Sequence, residues 1–226
     1  MSRGESTLQH VSVCLHGVGL EPTVYTSEDA PYWITPDHLE RVLDLVQGRP
    51  EVELTLDDGF SSDVDIVLPA LVERGLRASF YIPAGRIGLP GSVSATGLGE
   101  LLDAGMTVGS HGYDHVDWRR ITAHGALREF ATARAILEDI IQVDVTEVAC
   151  PFGAYDARTL RRLREHGYRR VLTSDRGRAA PDAWLQPRLT VTAATTIPSL
   201  SHALDHPPSL AARVDATLRT TLKSLR

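Results

Sequence analysis

Cysteine is scarce in this chain: there are two in 226 residues, Cys14 and Cys150. A disulfide scaffold needs more of them in a shorter chain, so that class is excluded. A basic excess is missing too. The formal net charge is -6, which argues against a nucleic-acid partner, since such proteins concentrate positive charge on one surface. No long apolar run is present. Met1 to Gln9 is polar, and the apolar stretch after it, Val11 to Leu15, is interrupted by Ser12 and ends at His16. That is too short for a signal-peptide core and far too short to span a bilayer. The expectation is a cytoplasmic protein with reduced thiols and no transmembrane segment. Internal repeats and low-complexity tracts are absent as well. With 42% hydrophobic and 23% charged residues, the composition is that of an ordinary globular chain.

What the sequence does contain is a regular alternation. Strand-like runs fall at His10–Leu15, Val52–Leu56, Ala78–Ile82, Met106–Ser110, Glu147–Cys150, Arg169–Thr173 and Pro187–Val191. Helical stretches fall at Thr35–Gln47, Val64–Arg74, Gly97–Asp103, Ala123–Ile140, Ala157–His166 and Pro208–Lys223. Strand–helix–strand alternation predicts an α/β protein with a mainly parallel sheet, and periodicity leaves open whether the sheet closes into a barrel. His206-Pro207-Pro208 interrupts the chain, so residues 1–205 are read as the main domain and 206–226 as a C-terminal amphipathic helix. Leu210, Val214, Leu218 and Leu222 recur every four residues and give that helix one apolar face. The face suits docking on the main domain or on a second copy in a homo-oligomer. The basic end, Arg219, Lys223 and Arg226, suits a helix C-terminus and could also touch an anionic membrane surface.

Residues with catalytic potential cluster just after the expected strands. His16 follows the first, Asp57 and Asp58 the second, His111 the fourth and Pro151-Phe152-Gly153 the fifth, while Arg188 lies on the last. In parallel α/β folds the strand C-terminal ends share one face, and sites are built there. Asp57-Asp58-Gly59 can be read as a solvated turn. It can also be read as two carboxylates with divided roles, one holding a cation and the other acting as a base. His111 and His115 are spaced i, i+4, which faces both rings the same way on a helical turn. That spacing fits a plain helix surface or a pair of zinc-type ligands. Two imidazoles and one carboxylate would make a facial set with open positions.

Thr55-Leu56-Asp57-Asp58-Gly59 and Ser110-His111-Gly112-Tyr113-Asp114-His115 resemble the first two motifs of the polysaccharide deacetylase family (NodB-homology domain, carbohydrate esterase family 4). The stretches Leu68-Pro69-Ala70-Leu71, Gly75 to Tyr81 and Leu101 to Gly109 are similar to the family's connecting segments, and the resemblance runs from about His10 to Val191. It implies a distorted (β/α)7 barrel and hydrolysis of an N-acetyl or O-acetyl group with one divalent ion: zinc first, with nickel and cobalt open. By the resemblance, Asp57 is the general base, and Asp58, His111 and His115 are the metal ligands. Pro151-Phe152-Gly153 is similar to the third motif, which lines the groove and offers the Phe152 amide to the oxyanion.

Two departures stand out. Ala149-Cys150 precede Pro151 where the family usually has an Arg bracing the base, and the late Leu-x-x-His motif of the general acid is absent. One branch of the family places that His early and an Arg late. Leu15-His16-Gly17-Val18 and Pro187-Arg188-Leu189-Thr190-Val191 resemble those motifs, so His16 becomes the acid and Arg188 the brace. A turn role for His16 and a surface ion pair for Arg188 are the bland alternatives. Trp184 could line the sugar groove or be a partly buried aromatic, and Trp118 is ambiguous in the same way. Cys150 reads as a packed side chain. The expected partner is an N-acetylated sugar or related small molecule, in a cytoplasmic step of glycan, glycolipid or antibiotic assembly. Two other functions stay open: an amidohydrolase of the same fold acting on a non-sugar C–N bond, and an inactive carbohydrate-binding relic.

Overall fold

The computed structural model describes residues 10–20 and 30–206. The expected C-terminal helix, and any homo-oligomer contact through it, lie outside the described residues. Seven parallel strands form a closed barrel in sequence order: β1 Val11–Leu15, β2 Val52–Asp57, β3 Ala78–Ile82, β4 Thr107–Ser110, β5 Glu147–Ala149, β6 Arg170–Thr173 and β7 Leu185–Thr190. β7 returns to β1, with Ser12 opposite Arg188. All seven expected strands are present, and the sheet closes as a distorted (β/α)7 barrel. The seam between β4 and β5 is the thinnest, with Ser110 opposite Val148 as its one ladder pair.

Side-chain alternation sorts each strand into two faces. Val11, Val13 and Leu15 of β1, Leu54 and Leu56 of β2, and Phe80 and Ile82 of β3 belong to the apolar core shared with the helices. The alternate positions carry polar groups that meet across the lumen. Ser12 donates to Glu53 at 2.9 Å, and the Tyr81 hydroxyl donates to Glu147 at 2.7 Å. Arg170 pairs with both Glu53 and Glu147. Ion pairs and hydrogen bonds therefore share the barrel interior with a small apolar cluster of Tyr81, Ala149 and Leu172, where parallel strands are more often apolar on both faces.

The covering helices are α1 Pro36–Val46, α2 Leu68–Glu73, α3 Ala95–Asp103, α4 Ala123–Ala126, α5 Ala133–Ile141, α6 Ala157–Glu165 and α7 Ile197–Asp205. Thr35 caps α1 by accepting the His38 amide, Pro36 takes the first turn, and Leu39, Val42, Leu43 and Val46 form its buried stripe. Two π turns, Asp63–Val67 before α2 and Leu127–Thr132 between α4 and α5, widen otherwise regular helices. Helix α7 has no counterpart in the expected elements. It is short and buries only Leu200 and Leu204, a pair too sparse to stand out as a period, although Thr196 and Ser199 close a capping box. Among the described residues, no helix is long and apolar enough to cross a membrane.

Candidate metal centre

Asp57 ends β2, and the chain turns sharply behind it: Asp58 has φ 77° and Gly59 φ 62°. Left-handed backbone at a non-glycine residue costs roughly 1–2 kcal/mol. Here it sends two adjacent carboxylates to different partners. Asp58 Oδ1 lies 3.1 Å from His115 Nε2 and 3.7 Å from His111 Nε2. Asp57 turns to Arg188. The bend is shared between Gly59 and Asp58 itself.

The two histidines converge, but not on a helical turn. Residues 111–117 form an irregular loop after β4, with Gly112 at φ 78° and His115 at φ 54°. The i, i+4 helical expectation is corrected accordingly: left-handed residues, not 3.6-residue periodicity, bring the rings to 4.9 Å. His111 Nδ1 lies 2.9 Å from the Ala149 carbonyl. That carbonyl can only accept, so Nδ1 carries the hydrogen and Nε2 presents its lone pair to the site. Burial pushes the His111 pKa down to about 4, against the opposing pull of Asp57. The imidazole is therefore neutral, as a ligand must be.

Arg188, fully buried on β7, places Nη1 and Nη2 each 2.6 Å from an oxygen of Asp57. Thr55 Oγ1 and the Thr173 carbonyl accept further bonds from the same guanidinium at 3.3 Å. Burial would raise the Asp57 pKa, but the charge of Arg188, aided by His111 and His16, holds it well below the usual carboxylate range. His16 follows β1 on the same rim. Its Nδ1 is buried without a hydrogen-bond partner, and its ring tilts against Tyr32 at 4.9 Å.

Among the described residues, two groups of side chains bring potential ligand atoms within 4.8 Å of one another: Asp58, His111 and His115, and Cys14, His16 and Asp57. In the second, Arg188 already occupies both Asp57 oxygens, and burial pushes the Cys14 thiol far up, disfavouring the thiolate a metal needs. The first fits a divalent ion. Asp58 Oδ1 is buried with no hydrogen-bond partner, and the His111 ring is oriented by a carbonyl as in metal sites generally.

Phe152 also sits on this rim, with φ 58°, 66% exposure and its ring 4.5 Å from that of His115. Pro151 is buried before it. Trp184 does not belong here, which corrects the groove-lining expectation. It precedes β7, at the end of the barrel where strands begin, whereas the site lies where they end. Its indole N–H donates to the Tyr168 carbonyl at 2.9 Å, and its ring carries the Arg164 guanidinium at 4.3 Å. Trp118 is buried and bonded to Glu129.

Three residues at the site escaped the sequence reading. Arg86, after β3, approaches Asp58 at 3.7 Å. Asp63 is fully buried, and neither carboxylate oxygen has a hydrogen-bond partner; burial, then the charges of Asp58 and Asp57, push its pKa well up. Glu129 accepts the Tyr113 and Asp114 amides at 2.9 and 3.0 Å. A carboxylate among the apolar residues of a helix was the available signal for Glu129. For Arg86 and Asp63 nothing local gave one.

A barrel that gathers three histidines and two aspartates on one rim has the donor set of a metal centre, and comparison with known proteins specifies its family. The family profile described as Polysaccharide deacetylase matches residues 45–171, more than half of the chain. The chain belongs to the polysaccharide deacetylase family. YxkH of Bacillus subtilis (strain 168) is 24% identical over 131 residues, covering 58% of this chain and 47% of that protein. The chain thus spans about half the length of the curated relative it matches. Among solved structures, a polysaccharide deacetylase from Bacillus cereus aligns with TM-score 0.76 at 17% identity, over 87% of this chain and 69% of that one. A Streptococcus pyogenes deacetylase in complex with acetate gives 0.75 at 18% identity, over 90% and 100%. IcaB from Ammonifex degensii gives 0.71 at 22% identity, over 88% and 97%. At these identities the likeness shows the fold.

Proposed function

We propose that this protein is a divalent-metal-dependent deacetylase that hydrolyses the N-acetyl group of an amino sugar to acetate and a free amine. The observation that carries the reading is the pairing of two sites on one rim: the Asp58, His111 and His115 ligand atoms within 4.8 Å, and beside them Asp57 held in a two-point clamp by Arg188. Membership of the polysaccharide deacetylase family supports the reaction class.

Asp58, His111 and His115 would hold the ion, zinc being the first expectation and nickel or cobalt equally compatible with this donor set. Held there, a divalent cation would supply Lewis-acid chemistry, polarising a carbonyl and lowering the pKa of water from about 15.7 towards roughly 7. Asp57 accepts the proton of the attacking water, and Arg188 keeps it ionised and fixes its plane. The Phe152 amide donates to the oxygen that gains charge; losing one such donor typically costs about 100-fold or more. His16 donates a proton to the departing nitrogen. A His16 ring nitrogen lies within 4.8 Å of an Asp57 oxygen, so acid and base would serve one reaction site.

The test is acetate release from N-acetylglucosamine oligomers, nucleotide-linked and lipid-linked N-acetyl sugars, using chelator-stripped enzyme and enzyme restored with zinc, nickel or cobalt. Activity that disappears on stripping and returns with metal is expected. Metal-restored enzyme that releases no acetate from any N-acetyl sugar, yet cleaves a non-sugar amide, would overturn the substrate assignment.

A further inference from the structure

The loop that carries His111 and His115 has little regular structure of its own, yet it must present two rings to one point. It has left-handed residues at Gly112 and His115 and belongs to no ladder or helix, and its Gly112 and Tyr113 carbonyls accept the Ala84 and Gly85 amides at 2.9 and 3.0 Å. A buried carboxylate holds its amide side. Glu129 Oε2 accepts the Tyr113 amide at 2.9 Å and the Trp118 indole N–H at 3.1 Å, while Oε1 accepts the Asp114 amide at 3.0 Å. The three donors lie between the two histidines or just beyond the second. The fit is tight: a Cβ on Gly112 would come within 2.3 Å of Glu129 Oε2.

The helix is adapted to deliver this group. Glu129 sits in the π turn Leu127–Thr132, where the wider coil lets two consecutive residues, Glu129 and Phe130, both face inward. The next residue outward, Arg128, pairs with Asp114 at 2.8 Å and lies over the Tyr113 ring at 4.1 Å, so the loop is gripped from inside and outside. π turns recur at functional sites because they re-aim side chains that a regular helix would point elsewhere.

We propose that Glu129 is a positioning residue of the metal centre: it touches neither ligand atom, and acts by locking the 111–115 loop in the one conformation that converges both imidazoles on Asp58. The inference rests on the metal reading given above. Groups that orient ligands typically change metal affinity by about 10- to 100-fold when removed.

The experiment measures Co2+ affinity of the stripped, folded protein by chelator competition, together with the visible absorption of the cobalt form. Glu129→Gln keeps the size but replaces one acceptor with an amide donor facing donors. Its cobalt affinity should fall by about 10- to 100-fold and its absorption band should shift. Trp118→Phe, which removes one donor of the three, should lose a few-fold. Glu138→Gln is the control: Glu138 accepts the Val145 amide at 2.9 Å from the same helical run but grips a different loop. It should lower Tm and leave cobalt affinity unchanged. A folded Glu129→Gln protein with wild-type affinity and spectrum overturns the proposal. Should that variant not fold, wild-type affinity in Trp118→Phe overturns it instead. Wild-type protein that takes up no cobalt removes the metal reading itself, and this inference with it.

Discussion

Arg188 meets Asp57 across 131 residues of sequence, with both guanidinium ends 2.6 Å from the two carboxylate oxygens. The pair is almost wholly buried, with its slight opening on the Asp57 side: Arg188 has no exposed surface and Asp57 has 3%. A buried pair of this kind contributes little net stability when whole, but removing one partner strands the other charge. Arg188→Ala should therefore destabilise the protein by about 3–5 kcal/mol. Arg188→Lys keeps the charge but not the fork; it should fold better than the alanine variant, yet lower kcat at least about ten-fold by releasing the plane of Asp57. Asp57→Asn should keep its metal and lose nearly all turnover. Denaturation curves, metal analysis and acetate release measure these; an Arg188→Ala protein of wild-type stability and rate would refute the clamp.

His16 is assigned the proton donor, so its loss should slow the reaction without disturbing the ion. His16→Ala is expected to cut kcat by about 100- to 10,000-fold at unchanged metal content. Full activity in that variant would remove the assignment and leave the metal centre standing.

The neutral state of His111 makes the metal-free protein sensitive to acid. A histidine whose folded pKa is lowered gives up stability as pH falls: the unfolded chain takes its proton near the ordinary 6.5, while the folded one waits until about 4. Across that window the loss is on the order of 3 kcal/mol. Asp57 works in the opposite range. Its folded pKa is depressed, so its contribution is present above the unfolded value and is lost only in strong acid. Urea midpoints of stripped protein between pH 7 and pH 4 should fall steeply, and His111→Asn should flatten the slope. An equally steep slope in the variant would point to another group.

Asp63 should behave in reverse. Its folded pKa is raised, so as pH climbs past the ordinary 3.8 the unfolded chain sheds a proton that the folded one keeps, and stability is lost. Asp63→Asn in stripped protein should gain about 1–3 kcal/mol at pH 7, the scale of an unsatisfied buried polar group, and almost nothing at pH 4. A loss of stability at pH 7 would show that the carboxyl has a partner role.

The barrel was legible because parallel strands between helices leave short β-rich runs, and all seven runs fall where the sequence places them. The ligands and base were legible because Asp57, Asp58 and His111 fall at strand ends on one rim, and because the motifs that carry them and His115 resemble those of a known family. The loop geometry was not, since the i, i+4 spacing of His111 and His115 reads as helix while Gly112 and His115 take left-handed backbone. Trp184 was misplaced because a residue just before β7 falls at the far rim, and strand polarity decides which end a neighbour reaches. Glu129 was hidden by its π turn, which breaks the helical count on which face assignment depends.

The barrel wall is thinnest where β4 meets β5 across a single ladder pair, Ser110 with Val148. One residue further along, the His111 ring bonds the Ala149 carbonyl and adds a side-chain rivet to the same join. Wall integrity and ligand orientation thus share one contact. Loading the centre should tighten the whole cylinder at this join, and amides near 147–150 should exchange with deuterium fastest in the empty protein and slow most once it is filled.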